Sequence, residues 1–414
     1  MADYLFIDEG KKTYLTTAEI YDQNTKKGFK LARKCMEKGY NEDGNGSGLY
    51  CLCQGEDAKI KMTLYQRGEH IVITSHHRID IIRHMKGICR HARDDNGKPY
   101  DSAYQIDDDG TPIYKIKDIT SPAAGEEVDN KEKTYNSTRR DIFDPDTKEM
   151  TPTEFIRKLI ITCHKYATRS GKELTSKYFY GMLVNSVLSI NAKKDTFLAL
   201  LNKGKLTNDE SYKNNNIIIF GPVEEILQGQ SDTKINIKTN GKREKYVLSE
   251  NDIYKRAADD FKKRYGANLV EASENYAIIC FALTSYSTKR PMWLQFHMIS
   301  MDGCYCDTIY ECKAYAFMSK FIKNNERFTY YKPFIPEGGD YKGESNLIPA
   351  AYLINKATGK KIAIIEIFDG TDPKIKEIKL RTATLPVVYY DTKTEETWVQ
   401  FNEMLSKVAT NAPE

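Results

Sequence analysis

No stretch of this 414-residue chain approaches the run of about 18 to 20 apolar residues that crosses a bilayer. Residues 1–11 carry acidic side chains where a secretory leader needs a basic start and an apolar core, so a cytoplasmic location is expected. An excess of either charge is also missing. Against 62 Lys and Arg stand 58 Asp and Glu, and a net charge of +4 does not by itself demand a nucleic acid. There is no Gly-x-x-x-x-Gly-Lys phosphate loop and no Gly-x-Ser-x-Gly elbow, which argues against ATPase and α/β-hydrolase chemistry. Residues 41–48 are glycine-rich, but no buried strand and helix frame them as phosphate binding requires. No internal repeat is found. Nine cysteines, odd in number and uneven in spacing, point to metal ligands and buried thiols rather than a disulfide framework.

What is present describes a globular protein: 40% hydrophobic residues, 29% charged, and a mean hydropathy of -0.60. The length suits about two or three domains. The expected fold class is multidomain α+β or α/β. Residues 1–91 read as a small β-rich domain stabilised by zinc, and 92–150 as a polar linker or insertion. Residues 151–275 read as a mixed, partly helical middle region, and 276–414 as an α/β core. A basic helix is expected over 26–38, and a hairpin from 60–64 and 71–74. Thr151-Pro152-Thr153-Glu154 offers an N-cap, a proline at the first helical position and an acid at the third, with Phe155, Leu159, Ile160 and Cys163 at helical spacing behind it. A second helix is expected over 176–190, with Tyr178, Met182, Leu183 and Val187 inward, and a third starts from a capping box at 249–252. Strands are expected at 215–220, 276–283 and 293–300.

Cys51 and Cys53 precede the hairpin, and His84 and Cys89 follow it. Two ligand pairs about a short hairpin form the plan of a structural zinc knuckle, because thiolate and imidazole suit zinc and four such ligands close its tetrahedron. A closed site leaves no position for a reacting water. His76, His77 and His91 compete with His84 for the nitrogen position. Cys304, Cys306 and Cys312 supply three thiols and no neighbouring histidine, and read as free thiols around a strand-to-helix turn.

Toward the C-terminus, Glu311 sits on a helix with Tyr315, Met318 and Ile322 at helical spacing. Residues 327–333 then lead into two strands, 346–354 and 362–368, followed by a basic helix over 374–381 and a strand over 387–390. This is the order of parts in a metal-dependent nuclease core of the Asp…Glu-x-Lys type, where strand-end carboxylates hold Mg²⁺ and a lysine helps position the attacking water. Glu366 stands at the glutamate position. Ala350 replaces the aspartate and Phe368 the lysine. Asp340, Glu344 or Asp369 would have to supply the missing acid, and Lys379 the missing base.

The chain resembles a family of uncharacterised proteins carried by bacterial plasmids and integrative conjugative elements. The resemblance rests on Cys51-x-Cys53 with His84 and Cys89, the helix over 151–166, the strand end at 217–221, and the stretch from Glu311 onward. It implies a restriction-endonuclease-like C-terminal domain in which Glu311 is the helix glutamate, Pro349-Ala350 the Pro-Asp pair and Glu366 the strand glutamate. The expectation is a DNA-associated accessory protein of a mobile element, with structural zinc and an inactive nuclease-like domain. Lys374, Lys376, Lys379 and Arg381 would contact phosphates of duplex DNA. A first alternative is an active Mg²⁺-dependent endonuclease using Glu311, Glu366 and Lys379. A second is a structural subunit that binds protein partners and no DNA. No membrane partner is expected.

Overall fold

The computed structural model of the chain describes residues 4–8, 11–15, 20, 33–34, 36, 48–53, 60–67, 70–75, 84, 89, 91–92, 103–106, 112–116, 149–172, 174–190, 193–202, 216–228, 232–239, 242–249, 252–285, 291–337, 339–344, 346–393 and 398–412. Most of the expected helix over 26–38, the loop at 41–48 up to residue 47, and the stretch 117–148 lie outside them. No described helix is long and apolar enough to cross a membrane. The fold is mixed α+β, in two compact units: Met1–Lys115 with Asp144–Glu149 and Ile335–Asn346, and Ile116–Phe143 with Met150–Phe334 and Leu347–Glu414.

In the first unit β1 (Tyr4–Asp8), β2 (Lys11–Leu15), β3 (Gly48–Cys51), β4 (Ile60–Arg67) and β5 (His70–Ser75) form one sheet in the order β2-β1-β3-β4-β5, every pair antiparallel. Ile60, Met62 and Leu64 alternate along β4 and all point inward, which is the two-residue period of a strand with one buried face. Met62 lies opposite Leu49, and Leu64 opposite Ile73, so the expected hairpin is present with its register fixed by the core. The stretch read from its polarity as a linker contains a further hairpin, β6 (Tyr104–Ile106) with β7 (Pro112–Lys115). Tyr104, Ile113 and Tyr114 bury enough apolar surface to order these residues, a local signal that the average composition of 92–150 concealed.

The second unit begins with α1 (Pro152–Ser170). Thr151 caps it by accepting from the Glu154 amide at 3.2 Å, and Gly171 ends it at φ 62°, a left-handed turn that glycine adopts without strain. Sequence spacing implied one apolar face. From Phe155 to His164 the helix is instead buried almost all round, Lys158 and His164 included. Next come α2 (Ser176–Asn185), β8 (Val187–Ile190), β9 (Lys193–Thr196) and α3 (Phe197–Asn202). The single helix expected over 176–190 therefore stops at Asn185. Asn185 and Ser186 side chains take the carbonyls of Gly181 and Met182, at 2.8 and 2.7 Å, and Val187 starts a hairpin. Phe179, Leu183 and Val184 are the buried apolar residues of α2; Tyr178 and Met182 are only partly covered.

A five-stranded antiparallel sheet follows, built from β10 (Asn216–Gln228), β11 (Asp232–Thr239), β12 (Lys242–Ser249), β13 (Ala277–Ser285) and β14 (Pro291–Ile299) in the order β12-β11-β10-β13-β14. The long β10 pairs with β13 up to Pro222 and with β11 from Val223, and a bulge between Val223 and Glu225 marks the change of partner. One face packs on α4 (Asp252–Tyr265) and α5 (Leu269–Asn275) through Ile219, Ile235, Ile278 and Phe296. On the other, Phe220 and Phe281 meet Phe179 of α2 and Phe197 of α3 edge to face. Ser249 closes β12 and α4 opens at Asp252; residues 250–251 of the expected capping box lie outside the described residues.

The chain then runs α6 (Ile309–Asn324), β15 (Phe328–Tyr331), β16 (Ala351–Asn355), β17 (Lys361–Phe368), α7 (Pro373–Thr382), β18 (Val387–Asp391) and α8 (Trp398–Thr410). The sheet order is β15-β16-β17-β18. The first three strands are antiparallel, and β18 runs parallel to β17 after the α7 crossover. β16 is buried along its whole length, and β17 from Ala363 to Phe368.

Candidate functional site

In the first unit the four expected ligands converge. Cys51 ends β3, Cys53 lies in the turn just after it, and the ligand atoms of Cys51, Cys53, His84 and Cys89 all lie within 4.8 Å of one another. Cys51 Sγ is 3.7 Å from Cys89 Sγ, and His84 Nδ1 is 3.5 Å from Cys53 Sγ and 3.3 Å from Cys89 Sγ. A tetrahedral ion with metal–sulfur bonds of about 2.3 Å separates its ligands by roughly 3.5 to 3.8 Å, so the group has the size of a four-ligand shell. These groups can hold a metal ion. Hydrogen bonds from Cys53 and Cys89, with burial behind them, push the Cys51 thiol well above its usual value. Three thiols this close disfavour one another's ionisation, and a bound cation reverses that balance. His91 stands beside the group rather than in it. Its ring centroid is 5.5 Å from that of His84, and its Nε2 is 2.7 Å from the Tyr4 hydroxyl. His76 and His77 lie outside the described residues.

In the second unit the acids expected at nuclease positions, Glu311 and Glu366, each pair with a buried lysine, and Glu311 Oε1 is buried without a hydrogen-bond partner among the described residues. The register sets Ala351 opposite Ile365, which puts Ala350 next to Glu366 across the strands. Glu366 Oε2 accepts from Lys379 Nζ at 2.9 Å, and the same ammonium donates to the Ile348 carbonyl at 2.7 Å. Glu366 is 1% exposed and Lys379 0%. Glu311, in the first turn of α6 and 0% exposed, accepts on one oxygen from Lys332 Nζ at 2.5 Å and from the Asp307 amide at 2.7 Å. Lys332 reaches Asp307 as well, at 2.6 Å, and Arg157 of α1 grips both oxygens of Asp307 at 2.8 Å. Burial opposes ionisation of Asp307, but Arg157 and Lys332 outweigh it and hold the carboxyl well below its usual range. Phe368 packs on Tyr389, and Lys376 sits over its ring while pairing with Asp391.

Lys379, expected to face phosphate, is thus a core residue: its ammonium is used by Glu366 and the Ile348 carbonyl. Lys374 and Arg381 remain exposed on α7, and Lys376 is half-buried. Asp369 follows β17 directly and is partly buried, whereas Asp340 and Glu344 belong to the other unit. Among the described residues, the Cys51–Cys89 group alone brings three or more His, Cys, Asp or Glu ligand atoms this close together. Cys304, Cys306 and Cys312 are buried free thiols, as their spacing suggested.

A further centre escaped sequence reading. Asp302 accepts hydroxyl bonds from Ser300, from Tyr330 at 2.7 Å and from Ser319 at 2.9 Å, with His164 Nε2 at 3.8 Å. Burial raises its carboxyl, but His164 and the hydroxyls outweigh that and bring it to about 2. Arg157 lies 150 positions from Asp307 and Lys332 lies beyond both aspartates, so no local pattern marks the group. The one signal was a charged pair, Arg157-Lys158, set between the apolar residues Phe155-Ile156 and Leu159-Ile160-Ile161.

Comparison with protein-family models, curated proteins and solved structures finds no match for the chain.

Proposed function

We propose that the chain is a DNA-associated, non-catalytic protein with a structural zinc ion in its N-terminal unit and a nuclease-shaped core near its C-terminus. The observation that carries this reading is the state of the surviving acids. Glu311 and Glu366 are each neutralised by a buried lysine. A catalytic Mg²⁺ takes about six oxygen ligands, several of them water, and needs carboxylates that are open and unpaired. The order α6-β15-β16-β17-α7-β18, with β18 parallel to β17, supports reading this part as a restriction-endonuclease-type core, and on that reading Ala350 beside Glu366 removes the second metal-binding acid. A three-thiolate, one-imidazole set suits zinc over harder cations. Lys374 and Arg381 on the exposed side of α7 supply phosphate contacts that position DNA without reading its sequence. The resemblance to mobile-element proteins supplies the setting.

The 2.9 Å contact of Lys379 with Glu366 also fits a relocated catalytic lysine, so active cleavage is the competing reading. One assay separates them. Plasmid DNA incubated with the protein and Mg²⁺ or Mn²⁺ stays intact, while duplex binding weakens steeply with salt and is reduced by Lys374→Glu. Metal-dependent cutting that Glu366→Ala abolishes would establish the endonuclease. An absence of salt-dependent binding would leave a subunit that contacts only protein.

A further inference from the structure

A cleft of about 340 Å³ opens between the C-terminal half of α6 and α8. That volume lies within the range of small-ligand sites, about 300 to 1,000 Å³. Its chemistry is one-sided: the charged residues lining it are Lys320 and Arg327, with no carboxylate among the lining residues. The spacing explains why the two helices share the cleft. Phe317, Lys320, Phe321 and Asn324 recur at three and four residues on α6, as do Asn402, Ser406 and Ala409 on α8.

Arg327 is fixed in place. Its guanidinium lies 4.6 Å from the centroid of the Phe328 ring and donates to the Ala409 carbonyl at 2.5 Å, which occupies one of its five N–H groups. A guanidinium held this way keeps a donor fork for a phosphate at little entropic cost. Lys320 is exposed on α6 and adds a mobile cation. Phe317 makes an aromatic wall whose ring is already aligned by stacking on Trp398, with centroids 5.2 Å apart and planes 16° from parallel. The exposed amides of Asn324 and Asn402 offer paired donors and acceptors of the kind that meet a base edge.

We propose that this cleft binds a nucleotide, with the phosphate on Arg327 and Lys320 and the base against Phe317 and the asparagine amides. A free nucleotide and one unit of a single strand share this chemistry. The inference is independent of duplex contact by α7.

The test is calorimetric titration of the full chain with inorganic phosphate, adenosine monophosphate and a single-stranded hexathymidylate at fixed salt. The expected result is saturable binding of at least one nucleotide probe, weakened at least about tenfold by Lys320→Glu, as for loss of a charge-assisted bond, and also weakened by Asn402→Ala. Binding by the monophosphate identifies a free nucleotide as sufficient, whereas binding by the oligonucleotide alone identifies a strand. Lys374→Glu on α7 leaves both unchanged, so its effect on duplex binding reports on the earlier reading and not on this one. No saturable binding of any probe, binding that neither cleft variant alters, or inorganic phosphate binding as tightly as the nucleotides would overturn the proposal.

Discussion

Lys379→Met removes the cation that faces Glu366 in the core. The two side chains are 0% and 1% exposed, and the ammonium makes two bonds, to Glu366 and to the Ile348 carbonyl. Truncating one partner of such a pair leaves a buried charge without its counterion, which costs about 3 to 5 kcal/mol. Removing both charges, as in Glu366→Leu with Lys379→Met, leaves only the Ile348 carbonyl without its donor, a cost of about 1 to 3 kcal/mol. That cost is offset by no longer desolvating two ions. The double variant is therefore expected to be more stable than Lys379→Met alone; with about 3 to 5 kcal/mol for each single and about 1 to 3 kcal/mol for the double, the double-mutant cycle gives a coupling of about 3 to 9 kcal/mol. Urea unfolding followed by tryptophan emission in a Trp293→Phe background measures it, because the remaining Trp398 stacks on Tyr390 of β18 at 4.0 Å and reports on this sheet. A single substitution costing under about 1 kcal/mol, or costing no more than the double, would refute the reasoning. Glu366 would then be a solvated strand-end carboxylate, open to metal.

Three other outcomes are expected. The folded-state value of Asp302, about 2, lies below its ordinary 3.8. Its stabilisation, about 2 kcal/mol, is therefore complete above about pH 4 and lost as the pH falls toward 2; Asp302→Asn should flatten that part of the acid unfolding curve, and an unchanged curve would contradict the assignment. Arg157→Lys exchanges a two-pronged grip on Asp307 for a single point contact and should lower stability by about 1 to 2 kcal/mol, read from the urea midpoint. Cys89→Ser, or prolonged chelation, should remove one equivalent of bound zinc by mass spectrometry and speed amide exchange in β3 and β4 at least about a hundredfold; retained protection would mean that the first unit folds without metal.

Legibility in the sequence followed locality. The α1 start was readable because Thr151, Pro152 and Glu154 act within one turn, and the β4–β5 hairpin because its alternation is short and regular. The metal group was readable since Cys51, Cys53, His84 and Cys89 flank that hairpin and each carries metal-binding chemistry of its own. By contrast, β11 alternates Ile235 and Ile237 with Lys and Asn, yet its apolar set is too small to stand out before β10 and α4 cover it. Residues 335–346 belong with the first unit, which no local pattern announces. Lys332, Asp307 and Arg157 were unreadable for the same reason. Arg157 and Asp307 are 150 positions apart, and whether a charge in such a chain is buried or solvated is decided only when the helices pack.

The two lysines carry the deeper point about the core. α6 and β17 each bring a glutamate into the interior, Glu311 and Glu366, and buried acids need partners. An ammonium lies beside each of them, Lys379 at Glu366 and Lys332 at Glu311. Each ammonium then reaches a second group, the Ile348 carbonyl or Asp307, and Asp307 in turn holds Arg157. The pairs thereby tie α1, α6, α7 and the strand ends together. On the nuclease-like reading, an acid placed at position 350 would not by itself make a metal site, because Lys379 and Lys332 already hold Glu366 and Glu311. The lysines would have to be displaced first.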